Sequence, residues 1–134
     1  ERKYQTKPVH SLQEIANLKM KFPENIRQFN VYYKEKIVAG ATLFESESVI
    51  HSQYISADEN KNTIGSLDFL FHHLITEVFK EKKFFDFGTS NAKQGKVINK
   101  GLSFWKESFG ASTIVHDFYE VETSNYNLLD AVLK

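Results

Sequence analysis

Leu67, Leu70, Phe71, Leu74, Ile75, Val78 and Phe79 recur at spacings of three and four residues. An extended strand would scatter that set over both of its faces. An α-helix gathers it onto one stripe. The opposite stripe carries Asp68, His72, Thr76, Glu77 and Lys80, so the helix has one wet side and one buried side. Segments of a different period flank it. Val49 to Ser56 on one side and Phe84 to Phe87 on the other read as strands. A strand, a long amphipathic helix and a second strand make a crossover. Two strands joined in this way lie parallel in one sheet, with a right-handed connection.

The rest of the chain fits around that unit. Ser11 to Phe22 has a helical period, with Ser11 and Glu14 spaced as a capping box, and Pro23 stops it. Gln28 to Tyr33 and Ile37 to Phe44 are strand candidates joined by the polar turn Lys34-Glu35-Lys36. Gly40 marks a bulge or a close backbone approach. Glu45 to Ser48 turns the chain into Val49 to Ser56, completing an antiparallel meander. Phe84 to Phe87 is too apolar for a sheet edge and is expected in the centre. Gly88 to Lys96 reads as a loop. A helix over Val97 to Phe109 is closed by Gly110 in the left-handed region. Thr113 to Val121 is expected as a fifth strand and Leu128 to Leu133 as a last helix. The fold class is α+β (α/β): a mixed, mostly antiparallel sheet with a central parallel βαβ pair and flanking helices.

Length and composition set the outer bounds. At 134 residues the chain reads as one domain, 1–134, and can bury about two-thirds of its unfolded surface. Its 12 Phe, 6 Tyr and 1 Trp suit a packed core. The 17 basic and 17 acidic residues cancel, which removes the positive field that bulk nucleic-acid binding needs. There is no Cys, so disulfides and thiolate metal sites are excluded, and a reducing, cytoplasmic setting is expected. No apolar run is long enough to span a bilayer. The sequence begins at Glu1 rather than Met, which suits a piece of a longer chain.

Chemistry can sit at three places. The polar stretch Ala57 to Thr63 leads into Ile64-Gly65-Ser66, the expected start of the long helix. Unpaired amides at a helix N-terminus suit a phosphate, and Gly65 permits close approach. Residues of the same types also serve helix capping alone. Lys106 lies one step round from the apolar face Leu102, Trp105 and Phe109. Its stem can cross that surface and present an ammonium at a cleft, or the residue can be a solvated lysine. Thr89, Ser90 and Asn91 follow a strand, where substrates collect in sheets of this kind. Asp86 points away from Phe85 and Phe87 and reads as an acceptor for a neighbouring turn. His51, on the third strand, is a general-base candidate for an amine proton. His72 and His73 are adjacent and diverge by about 100° on a helix, so no metal site is expected there.

Three fragments carry a resemblance. Ile37-Val38-Ala39-Gly40-Ala41, Phe85-Asp86-Phe87-Gly88, and Phe104 with Lys106 and Phe109-Gly110 occur in order. Together they resemble the GNAT acyltransferase superfamily, and in particular the C-terminal half of the Fem-type and BioF2-like proteins, which carry two such domains. The resemblance implies a sheet whose parallel pair splays apart around an acyl-CoA donor. It implies that Asn62, Thr63, Ile64, Gly65 and Ser66 meet the donor's pyrophosphate, and that Lys106 is functional. The implied reaction is transfer of an acyl group, acetyl in the simplest case, to a small-molecule or peptide amine. For a Fem-like half-domain the donor would be aminoacyl-tRNA, and a non-catalytic binding module is the further alternative. A homodimer or a second GNAT-like domain is the implied partner. The family's phosphate loop has the pattern Gln/Arg-x-x-Gly-x-Gly/Ala, and this chain has Asn62, Gly65 and Leu67 at those positions.

Overall fold

Ser11 and Glu14 open helix α1 (Leu12–Lys21) as a reciprocal cap: the Ser11 hydroxyl accepts from the Glu14 amide at 3.2 Å, and the Glu14 carboxylate accepts from the Ser11 amide at 2.6 Å. This computed structural model describes residues 9–93, 95–124 and 126. Strands β1 (Ile26–Tyr33), β2 (Lys36–Glu45) and β3 (Val49–Ala57) follow as the expected meander, each antiparallel to the next. Helices α2 (Lys61–Ile64) and α3 (Ser66–His73) and a wide helical turn, Leu74–Val78, make the crossover. It delivers the chain to β4 (Phe84–Asp86), which pairs parallel to β3. A two-strand ribbon, β5 (Asn91–Ala92) with β6 (Val97–Ile98), precedes helix α4 (Lys100–Glu107). The main sheet is ordered β1-β2-β3-β4.

Burial explains the crossover. Leu70, Phe71 and Leu74 sit with Ala41, Leu43 and Ile50 of the sheet in one core, and Phe79 joins them. The wide turn makes that last contact. In an α-helix Phe79 would point about 140° away from Leu74. The Phe79 amide instead bonds the Leu74 carbonyl, five residues back, at 2.9 Å, and both side chains stay buried. Phe85 and Phe87 of the β4 region, with Trp105 and Phe109 of the α4 region, pack against the same cluster.

Several expectations need correction. The crossover helix is not continuous from Ile64: Gly65 adopts φ +59° and separates α2 from α3. β4 is an edge strand among the described residues, not a central one. Its apolar character comes from the aromatic cluster on one face, whereas Phe84 points outward and is exposed. The helix expected from Val97 begins at Lys100, because Val97 and Ile98 pair with β5 and Asn99 caps α4 through a bond from the Leu102 amide. Thr113 to Val121 forms no strand. Its apolar residues are exposed, and it pairs with neither edge of the main sheet, β1 or β4. The helix expected over Leu128 to Leu133 lies outside the described residues. The bulges fall beside Val38 and Gln53, while Gly40 serves close approach: a Cβ there would stand 2.8 Å from Asn30 Oδ1.

Lys82 ties the end of the crossover to the β2–β3 turn. Its ammonium donates to the Ser46 carbonyl (2.8 Å) and the Glu47 carbonyl (3.2 Å) and pairs with Glu45 at 2.9 Å. Partial burial opposes the Glu45 charge, but Lys82 and Arg27 outweigh it and hold that carboxyl below the usual glutamate range. The Lys82→Met variant is expected to lose about 1 kcal/mol, read as a lower urea midpoint at neutral pH. Because the folded pKa of Glu45 is depressed, its contribution is present above the unfolded value of about 4.3 and fades as pH falls through the folded value. The gap between wild type and variant therefore narrows in acid. An equal gap at pH 7 and in acid would exclude the ion pair as its source.

Candidate active site

The parallel pairing of β3 and β4 lasts for three residues: Val49 with Phe84, Ile50 with Phe85 and His51 with Asp86. Beyond that point β3 continues to Ala57 while β4 has ended. His51 and Asp86 therefore stand side by side where the two strands part. Their side chains meet: His51 Nδ1 lies 2.7 Å from Asp86 Oδ2. The other ring nitrogen, Nε2, lies 3.2 Å from Gln53 Oε1, placed there by the bulge in β3. With Nδ1–H donating to the Asp86 carboxylate, Nε2 is the ring nitrogen left to exchange a proton, and Gln53 lies beside it.

Asp86 has a second partner. Its Oδ1 accepts the Gly88 amide at 2.7 Å, the turn contact its place in the sequence suggests. Partial burial works against ionisation of Asp86. The Gly88 amide, His51 and the Lys106 charge outweigh that, and its pKa lies below the ordinary aspartate value. Gly88 adopts φ +70°, and a Cβ there would face His51 Cε1 at 3.6 Å. Glycine thus supplies both the left-handed backbone and the open space beside the imidazole.

Lys106 is buried, 6% exposed, and its ammonium donates to the carbonyls of Gly88 (2.8 Å) and Thr89 (2.7 Å). Burial lowers its pKa, and the Asp86 charge offsets part of that. It braces the loop that follows Asp86 from behind. Thr89, Ser90 and Asn91 make their contacts through backbone: the Thr89 carbonyl holds Lys106, the Ser90 carbonyl accepts the Asn99 amide at 2.8 Å, and Asn91 pairs in β5.

At the start of the crossover, Asn62, Thr63 and Ile64 are helical rather than loop. The amides of Thr63 and Ile64 bond the Asn60 carbonyl, so they are turned inward. The first rung of α3 is the Phe69 amide on the Gly65 carbonyl, which leaves the amides of Ser66, Leu67 and Asp68 before the ladder begins. Ser66 is 2% exposed and its hydroxyl has no partner among the described residues. Amides and a hydroxyl at the start of a helix are donors of the kind an anion takes. Asp68, in the same turn, brings a carboxylate whose Oδ1 accepts from Trp105 Nε1 at 2.7 Å. Ser52, one residue beyond the last parallel pair, is a second buried hydroxyl without a partner among the described residues.

The sequence singled out His51 and Lys106 but not the meeting of His51 with Asp86 and Gln53, nor the buried Ser52 hydroxyl. The signal for the first was present. Once Val49 pairs with Phe84 in parallel, His51 must meet Asp86 two residues on. Among the described residues no cluster of His, Cys, Asp and Glu could hold a metal ion, and no helix is long and apolar enough to cross a membrane.

No protein-family profile matches the sequence, and no curated protein matches it. Solved structures do. A protein from Bacteroides thetaiotaomicron assigned to the GNAT acetyltransferases aligns with 80% of the chain at 7% identity and a TM-score of 0.52. The chain spans 58% of that protein's length. An aminoglycoside acetyltransferase from an uncultured soil metagenomic sample, solved with sisomicin, aligns with 90% of the chain and 81% of its own, at 18% identity and a TM-score of 0.54. An integron cassette protein from the mobile metagenome of V. cholerae aligns with 97% of the chain and 84% of its own, at 17% identity and a TM-score of 0.53. The fold, a mostly antiparallel sheet with one parallel pair and flanking helices, matches these structures. The chain has the fold of the GNAT acetyltransferases.

Proposed function

We propose that this chain is an N-acyltransferase that moves an acyl group, acetyl in the simplest case, from an acyl-CoA thioester to the amine of a small molecule. The observation that carries the reading is the His51–Asp86 pair at the point where β3 and β4 part. The aminoglycoside acetyltransferase neighbours support a small-molecule amine as acceptor. In this reading the acceptor ammonium gives a proton to His51, and Asp86 steadies the imidazolium that results. The freed nitrogen forms a bond to the thioester carbonyl carbon, the carbon–sulfur bond breaks, and the thiol leaves with a proton. Lys106 acts as a positioning residue that holds the Gly88–Thr89 backbone against the pair. Ser66 and the first amides of α3 would hold the donor's phosphates.

Asp68 favours a second reading, a binding module that keeps the fold and has lost the donor, because its carboxylate repels phosphate at that turn. Thermal unfolding separates the two. At about a hundredfold over its dissociation constant, a ligand adds about 2.7 kcal/mol, and acetyl-CoA is then expected to raise Tm by about 10 °C. No shift with acetyl-CoA or with longer acyl-CoAs would remove the CoA-dependent reading.

A further inference from the structure

The sheet face that carries His51 continues into a groove that the reaction above does not use. Cross-strand pairing sets the parity. Phe44 pairs with His51 and Thr42 with Tyr54, so Tyr54 shares the face of His51 despite the bulge between them. Gln28 pairs with Thr42 and Asn30 with Gly40, which extends the same face to β1. A groove of about 220 Å³ lies there, lined by Gln28, Asn30, Thr42, Tyr54, Ser56 and Asp58. Gly40 is its floor, and the missing Cβ lets the Asn30 amide lie across the strand. Along β2 the Tyr54 row is two residues from the His51 row, about 7 Å.

Ile37, Val38, Ala39 and Ala57 give the groove an apolar part, and its hydroxyl and amide groups are already oriented. Thr42 Oγ1 donates to Gln28 Oε1 at 2.6 Å, and Gln28 Nε2 donates to Asn30 Oδ1 at 2.9 Å. That chain uses the Thr42 proton and the Asn30 oxygen. It leaves the Thr42 oxygen as an acceptor and the Asn30 amide hydrogens as donors. His10 fixes Tyr54, its amide donating to the phenol oxygen at 3.0 Å. Asp58 is the one acidic side chain in the lining and no basic one joins it, so nothing there attracts an anion. Donors and acceptors alternate at fixed positions, the complement of a ring bearing hydroxyls.

We infer that this groove holds the neutral, hydroxylated part of the acceptor, so that a sugar-like ring lies over Thr42 and Asn30 while its amine reaches His51. The inference rests on the acyl-transfer reading and narrows its acceptor to polyhydroxylated amines. Ligand-observed saturation-transfer NMR tests it with two probes: methyl glucoside, which has hydroxyls and no amine, and hexylamine, which has an amine and no hydroxyls. Methyl glucoside is expected to receive saturation and hexylamine not. Asn30→Leu and Thr42→Val are each expected to weaken methyl glucoside binding about tenfold. Thr42→Val keeps the shape of the side chain and covers the case in which Asn30→Leu disturbs β1. No saturation of methyl glucoside, or equal saturation in both variants, overturns the inference. Acyl transfer that accepts hexylamine as readily as glucosamine would also overturn it and leave the transferase standing. Sugar binding in a protein that transfers nothing would remove the transferase and leave the groove.

Discussion

His51→Gln is expected to lower kcat/KM for acetyl transfer to an amine by about 10²–10⁴, the range in which a positioned general base acts. Glutamine keeps a polar group of similar length and removes proton uptake. Asp86→Asn keeps the shape and removes the charge, and the loss should be smaller, because Asp86 acts through His51. The double variant should be little worse than His51→Gln alone, since residues that act as a unit do not add. Steady-state rates with acetyl-CoA and glucosamine, following thiol release, measure all three. A His51→Gln enzyme as fast as wild type would remove the base from the mechanism. Lys106→Met, in the same assay, retains the stem and drops both carbonyl bonds. A wild-type rate there would end its positioning role.

Asp86 adds a step of its own to the acid side of the rate profile. Its pKa is depressed, so the carboxylate persists below the ordinary aspartate value of about 3.9. The Asp86 charge is lost only as pH falls through that lowered value. In Asp86→Asn this part of the acid limb has no group to titrate. Asp86 also contributes to folding stability above its unfolded pKa and loses that contribution over the same descent.

Periodicity made the crossover legible. Seven apolar residues on one helical stripe between two strands leave a parallel pair as the economical arrangement, and the pair is present. His51 was legible by type and Asp86 by its outward position. Their meeting was not, because it depends on register, and a parallel register has no turn to fix it. Gln53 reached the imidazole through a bulge that no residue pattern announces. The misplaced features share a cause. Phe84 to Phe87 looked central because apolar residues were read as covered on both faces, whereas one face is covered by an aromatic cluster and Phe84 is not covered. Thr113 to Val121 has strand-forming residues, but a strand needs a neighbour and its composition does not supply one. Residues 62 to 64 matched a phosphate loop only by resemblance, and local bonds to Asn60 wound them into a helical turn instead.

Phe71→Ala is expected to cost about 3–5 kcal/mol, the range for deleting a fully buried aromatic. Phe71 has no exposed surface. Its ring stacks on Phe87 at 5.4 Å and meets Trp105 edge-on at 5.2 Å and Phe85 edge-on at 5.9 Å, with Phe109 at 6.2 Å. Four aromatic partners from two further segments thus converge on one side chain of α3, and no single neighbour can move in to fill the space. Such a loss approaches the whole stability of a small domain. Guanidinium denaturation should show the midpoint falling steeply, whereas Phe104→Ala, on the exposed side of α4, should stay within about 0.5 kcal/mol of wild type. The effect should reach the site before the domain unfolds. Phe85 and Phe87 flank Asp86, and Phe87 leads into the Gly88 amide that holds its carboxylate. Loosening those rings frees Asp86 to leave His51, so acyl transfer in Phe71→Ala should fail at denaturant concentrations where the circular dichroism of the sheet is still native. Full activity up to the unfolding midpoint would show that the aromatic cluster supports the fold without positioning the pair.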